Sequence, residues 1–141
     1  MIRVIVKDEI DAEARTVWGL VGDLGHPESW PVVESFELEG SGVGCIRTLH
    51  LAGGEQIRER VEEYDASDQS YRARVTQVGR LPVADYEYRV AVASLAPGRC
   101  TVEWTVTCTP VARSEAEARH MIEGFYANLS FSIRESLGLV S

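Results

Sequence analysis

Between Val32 and Pro110 the apolar residues recur at every second position, and beyond Pro110 they recur at every third or fourth. A period of two sends alternate side chains to opposite faces of a strand, whereas a period near 3.6 draws one stripe along a helix. Six alternating runs stand in a row. Phe36 and Leu38 alternate with Glu37 and Glu39, and Leu49 and Leu51 with Thr48 and His50. Ile57, Glu59 and Val61 alternate with Arg58, Arg60 and Glu62. Tyr71, Ala73 and Val75 follow, then Tyr86, Tyr88, Val90 and Val92, then Cys100 to Cys108 through Val102, Trp104 and Val106. Turn-forming residues separate them at Gly40-Ser41-Gly42, Gly53-Gly54, Asp65 to Asp68 and Pro97-Gly98. Strands with one apolar face each predict an antiparallel sheet covered on one side.

The last segment supplies the cover. Ser114 reads as an N-cap with Glu115 and Glu117 in the first turn. Ala118, Met121, Ile122, Phe125, Leu129, Ile133 and Leu137 then form one stripe on a helix of about 23 residues, roughly 35 Å long. At the other end, Ile2 to Asp8 reads as a strand. Asp11 is a candidate N-cap for a helix carrying Ala14, Val17, Trp18, Val21 and Leu24, and Pro27 suits the start of a second short helix that Pro31 ends. The expectation is an α+β fold of one domain over 1–141: a seven-stranded curved antiparallel sheet around a long C-terminal helix, with two short helices between strands 1 and 2. A straight helix cannot touch a curved sheet everywhere. The gap left between them predicts an internal cavity for a mostly apolar small molecule.

Charge and cysteine usage narrow the partners. A net charge of -8 without any basic run argues against nucleic acid and anionic membrane. No stretch of about 18 apolar residues predicts membrane insertion, and the N-terminus lacks a secretory pattern, so a cytoplasmic protein is expected. Cys45, Cys100 and Cys108 lack paired spacing and read as small core residues. Cys100 and Cys108 on one strand would lie roughly 26 Å apart, too far to bridge. His26, His50 and His120 show no ligand spacing with carboxylates, so no metal is expected, and no cofactor motif is present. The expected state is a monomer or homodimer.

Glu59 breaks the apolar face between Ile57 and Val61. A carboxylate facing a core is costly unless it is paired. A buried one suits general acid or base chemistry, but it also suits a structural ion pair with an inward arginine. Tyr71, Tyr86 and Tyr88 lie on apolar faces, where a buried hydroxyl needs a partner. They read either as packed core or as groups that orient a ligand. Phe36, Leu49, Leu51 and Ile57 would share the inner wall, and Met121, Phe125 and Leu129 would form the floor. Trp18, Trp30 and Trp104 read as core.

Several segments resemble the START-like, or SRPBCC, superfamily. They are Ile10-Asp-Ala-Glu-Ala-Arg-Thr-Val-Trp18, Trp30-Pro31, Gly44-Cys-Ile-Arg47, Glu59-Arg-Val-Glu-Glu-Tyr-Asp65, Gly79-Arg-Leu-Pro-Val-Ala-Asp-Tyr86 and Val102-Glu-Trp104, followed by Pro110 and the terminal helix. The chain is most similar to the bacterial polyketide cyclase/dehydrase and lipid transport branch. The resemblance implies the helix-grip fold, with a pocket gated by the loops Ala52-Gly53-Gly54 and Gly79 to Ala84. It gives Arg80 and Leu81 a latch-like place and makes Tyr86, which follows, a functional candidate beside Glu59. It puts Glu34 where plant abscisic acid receptors of the superfamily use a lysine for the ligand carboxylate. That charge reversal argues against a carboxylate held in the same way. It also puts Glu103 at a polar pocket position, whereas strict alternation along its strand turns Glu103 outward.

Three functions follow. One is binding of a hydrophobic small molecule: a lipid, a polyketide or an aromatic metabolite. The second is a cyclase or dehydratase, with Glu59 as acid/base and Tyr86 or Arg80 polarising a carbonyl. The third is a protein-interaction module with a collapsed cavity and an exposed apolar patch.

Overall fold

The structure, a computed structural model, describes residues 1–25 and 33–140. Seven strands and two α-helices follow in the order β1 (Ile2–Ile10), α1 (Ala14–Val21), β2 (Val33–Glu39), β3 (Ile46–Leu51), β4 (Gln56–Asp65), β5 (Ser70–Gln77), β6 (Val83–Ala96), β7 (Arg99–Pro110) and α2 (Glu115–Ser136). A single 3-10 turn, Ala52–Gly54, joins β3 to β4. The strands form one antiparallel sheet in the order β1-β7-β6-β5-β4-β3-β2. Strands β2 to β7 run as consecutive neighbours, and β1 pairs with β7 along its whole length. The β2 edge is mostly exposed and carries Glu34, Glu37 and Glu39, charges that discourage another strand from adding there.

The inner face follows the alternation. Val102, Trp104, Val106 and Cys108 of β7 are buried, as are Tyr86, Tyr88, Val90 and Val92 of β6 and Tyr71 and Ala73 of β5. All three cysteines are buried and unbridged. Register irregularities interrupt β4 at Arg58/Glu59 and Val61/Glu63, and β6 at Ala84/Glu87. Such bulges bend a strand and strengthen its twist.

Helix α2 begins where Ser114 Oγ accepts from the Glu117 backbone N–H at 3.1 Å. Its buried stripe is Ala118, Ile122, Tyr126, Leu129 and Ile133. Burying a large apolar side chain contributes about 1.5–3 kcal/mol, so this face anchors the helix to the sheet. Polar contacts fix its position along β1. Arg119 donates to the Arg3 carbonyl at 3.0 Å, Arg134 donates to the Glu9 carbonyl at 2.6 Å, and Arg134 pairs with Asp8 at 2.7 Å while Ser130 donates to the same carboxylate.

Two expectations change near the N-terminus. Among the described residues only one short helix, α1, lies between β1 and β2. The second, expected to start at Pro27 and to be ended by Pro31, falls in 26–32, outside the described residues, with His26 and Trp30. Asp11 does not cap α1. The N-cap is Glu13, whose side chain instead accepts from the Gly98 N–H at 2.9 Å, while Asp11 pairs with Arg99. The other end of α1 is set by close packing. A Cβ on Gly22 would lie 2.5 Å from the Trp18 ring, which packs on Tyr64, and the Tyr64 hydroxyl donates to the Gly22 carbonyl at 2.9 Å.

Candidate functional site

The β3–β4 hairpin turns at Gly53, where φ is +81°, a left-handed conformation open to glycine. That turn fixes the register. Leu49 lies opposite Ile57 and Arg47 lies opposite Glu59, all four on the inner face. Arg47 and Glu59 are each 1% exposed. The Arg47 Nε donates to Glu59 Oε1 at 2.8 Å, its Nη2 donates to the same oxygen, and its Nη1 donates to the Leu24 carbonyl at 3.3 Å. Tyr88 donates to the carboxylate, 3.0 Å from Oε1 and 2.9 Å from Oε2. The Tyr71 hydroxyl lies 3.2 Å from that of Tyr88, and both accept from Arg47 Nη2 at 3.3 Å.

Burial opposes the Arg47 charge, but the Glu59 carboxylate and the two phenol oxygens hold its pKa well above the ordinary arginine value. Burial, reinforced by the Glu59 charge, raises Tyr88 well above its ordinary value, and burial also raises Tyr71. Both phenols therefore stay protonated. The pair is shielded from water and hydrogen-bonded on every side, the arrangement a buried ion pair needs in order not to destabilise.

Above this cluster lies a cavity between the sheet and α2. Its sheet wall is Ile57, Glu59, Tyr71, Val75, Tyr86, Tyr88 and Trp104. Tyr126, Phe125, Leu129 and Ile133 close it from α2, Val21 from α1, and Val78 and Leu81 from the β5–β6 connection. Tyr86 and Tyr126 meet through their hydroxyls at 2.6 Å, and Tyr126 packs on Trp104 with ring centres 5.4 Å apart. Burial lifts both phenols above their ordinary value, so this pair is neutral too.

The cavity measures about 50 Å³, room for a few waters against the roughly 300–1,000 Å³ of a typical ligand pocket. The expected gap is thus largely filled, because six aromatic side chains from the sheet and helix line it. A larger space of about 370 Å³ is an open groove on the outer face, lined by Arg3, Arg72, Arg89, Glu87 and Glu103 among others. It is open to solvent and lined mainly by charged and threonine side chains.

A clasp joins the two loops beside the cavity. Glu55, just after the β3–β4 turn, accepts from the Arg80 backbone N–H at 2.6 Å. A Cβ on Gly79, where φ is +63°, would lie 2.3 Å from the Glu55 carboxylate oxygen, so the two loops meet this closely only because residue 79 is glycine.

The structure brings Ile57, Glu59, Tyr71, Leu81, Tyr86, Tyr88, Phe125 and Leu129 together around the cavity. Phe36 and Leu49 share the inner face but lie toward the β2 edge, off the cavity, and Leu51 ends β3 opposite Val33. Glu34 is exposed on β2. Arg80 has a side chain 75% exposed and contributes its backbone instead. Glu103 faces the outer groove opposite Lys7, so alternation and not the superfamily alignment describes it. Met121 is 39% exposed on the flank of the α2 stripe and is not floor.

Arg47 and Tyr126 were missed. Both had a signal. Arg47 has the parity of Leu49 and, across a hairpin centred on Gly53, the register of Glu59. Tyr126 stands four residues after Ile122 and three before Leu129, on the same buried face of α2.

The sequence profile of the family described as polyketide cyclase/dehydrase and lipid transport matches residues 1–132. None of the curated proteins matches the chain in sequence. Among solved structures, an uncharacterised protein from Bacillus thuringiensis is 27% identical, with a TM-score of 0.86 over 96% of this chain and 98% of that one. XoxI from Bacillus cereus is 26% identical, with a TM-score of 0.86 over 96% and 95%. Norcoclaurine synthase from Thalictrum flavum is 19% identical, with a TM-score of 0.71 over 96% and 94%. That last likeness is one of fold alone.

Proposed function

Because the chain belongs to the polyketide cyclase/dehydrase and lipid transport family, a family of cavity proteins for small hydrophobic ligands, we propose that it binds a hydrophobic small molecule between the inner sheet face and α2. The observation that carries this reading is the cavity itself: an enclosed, mostly aliphatic and aromatic wall with a few hydrogen-bonded polar groups converging on it. At about 50 Å³ it is a contracted form, and uptake requires the clasp between the Glu55 and Arg80 loops to loosen and the aromatic side chains to turn aside.

The acid/base reading of Glu59 has less support. Oε1 accepts from Arg47 and Tyr88 and Oε2 from Tyr88, which describes a group holding its neighbours in place more than one offered to a substrate. A thermal-shift screen with lipids, polyketides and aromatic metabolites tests the proposal. Stabilisation that grows with ligand concentration is expected. No stabilisation by any apolar compound at its solubility limit would count against binding.

A further inference from the structure

The hydrogen count in the cavity goes beyond the proposed binding role, and on that role it rests. Around Glu59 every phenol hydrogen is committed. Tyr88 gives its hydrogen to the carboxylate, so Tyr71 must be the donor in the bond between the two phenols. Arg47 is engaged by Glu59, the Leu24 carbonyl and both phenol oxygens. The Tyr86–Tyr126 pair differs. Two hydroxyls carry two hydrogens, their mutual bond uses one, and neither oxygen has another hydrogen-bond partner among the described residues. Both side chains line the cavity, so the second hydrogen is left for whatever occupies it. A donor without an acceptor in an apolar space is costly. A small water can satisfy it in the contracted cavity, and a ligand that displaces that water must supply an acceptor of its own.

Charge sets the second condition. Glu59 is the one charged residue lining the cavity, and its charge is balanced by Arg47 behind it. No lysine, arginine or histidine of the described residues faces the space, so an anion entering it would lose its hydration without gaining a counter-charge. We infer that the cavity selects an uncharged, largely apolar molecule with a carbonyl-type acceptor, and that this acceptor docks on the Tyr86–Tyr126 hydroxyl pair.

Three probes of matched size test this by calorimetric titration: 2-acetylnaphthalene, 2-ethylnaphthalene and 2-naphthoate. All three demand the same widening of the cavity, so their differences report polar recognition. The ketone is expected to bind about five- to ten-fold more tightly than the hydrocarbon, the worth of about one net hydrogen bond, and the naphthoate more weakly than either. Tyr86→Phe or Tyr126→Phe alone leaves one hydroxyl whose hydrogen still reaches the ketone, so the preference persists in each. The double variant removes it, and its ketone-to-hydrocarbon ratio falls to about one. The carbonyl stretching band of bound 2-acetylnaphthalene, lowered in frequency by the phenol in the wild type, returns to its apolar-solvent position in the double variant. Equal wild-type affinity for ketone and hydrocarbon, a preference retained in a folded double variant, or tight binding of the naphthoate would each overturn the inference while leaving the binding role intact. Failure of all three probes to bind would instead sink the binding role. Should the double variant not fold, the wild-type affinity ratio and the carbonyl band decide.

Discussion

Arg47 and Glu59 face each other at the base of the cavity, each nearly out of reach of water, and neither tolerates loss of the other. Replacing Glu59 by Ala leaves the Arg47 charge without the carboxylate it pairs with. The expected destabilisation in chemical denaturation is about 3–5 kcal/mol, the usual cost of orphaning one member of a buried pair. Replacing both together, Arg47→Met with Glu59→Leu, removes two charges at once and should cost much less than the sum of the single changes. Additive single effects would mean that the two side chains do not act as a unit. At this scale the sequence was half legible. Glu59 announced itself by interrupting an apolar face. Its partner sat at the start of a run that reads as strand only from Thr48 onward, and finding it required the exact turn position, which two adjacent glycines leave open.

At the scale of elements, two connections tie together the parts that surround the cavity. The first is the meeting of the β3–β4 and β5–β6 loops at Glu55, Gly79 and Arg80. Gly79→Ala places a Cβ against the Glu55 carboxylate and forces a side-chain-bearing residue into a left-handed conformation. A loss of about 1 kcal/mol is expected from the backbone alone. Amide hydrogen exchange should accelerate at Arg80 and Leu81 and stay unchanged in β7. Unaltered exchange at Arg80 would show that the clasp does not hold the loops. The second connection is the tie of α2 to β1 through Asp8, Ser130 and Arg134. Partial burial works against the Asp8 carboxylate, but the bonds from Arg134 and Ser130 prevail and hold its pKa below the ordinary 3.8. A value lowered by folding means stabilisation that is complete above the unfolded value and lost as pH falls through the folded one. The acid limb of stability below about pH 4 should therefore be flatter in Asp8→Asn than in the wild type. An identical acid limb would exclude the tie from the acid response. Both helices and all seven strands were visible in the hydrophobic period because the period is what burial imposes. The α1 cap was not, since the Glu13 side chain is taken by a tertiary contact with Gly98 that local sequence does not encode.

For the molecule as a whole, architecture and volume were legible to different degrees. Order of elements, antiparallel pairing and the helix laid over one face all follow from pattern and turns. Free volume does not, because it is the small remainder after Tyr71, Tyr86, Tyr88, Trp104 and Tyr126 have chosen their rotamers, and apolar faces of the same pattern enclose very different spaces. Among the described residues no helix is long and apolar enough to cross a membrane, and an apolar cavity lies between sheet and helix. The account therefore stands on that space accepting a molecule. Methyl-resolved NMR titration with 2-acetylnaphthalene reads this directly. Saturable shifts and contacts from probe protons to the methyls of Ile57, Val75, Leu129 and Ile133 are predicted, with Ile5 on the outer face unmoved. Shifts confined to Ile5 and other surface methyls, or none at saturation, would contradict it.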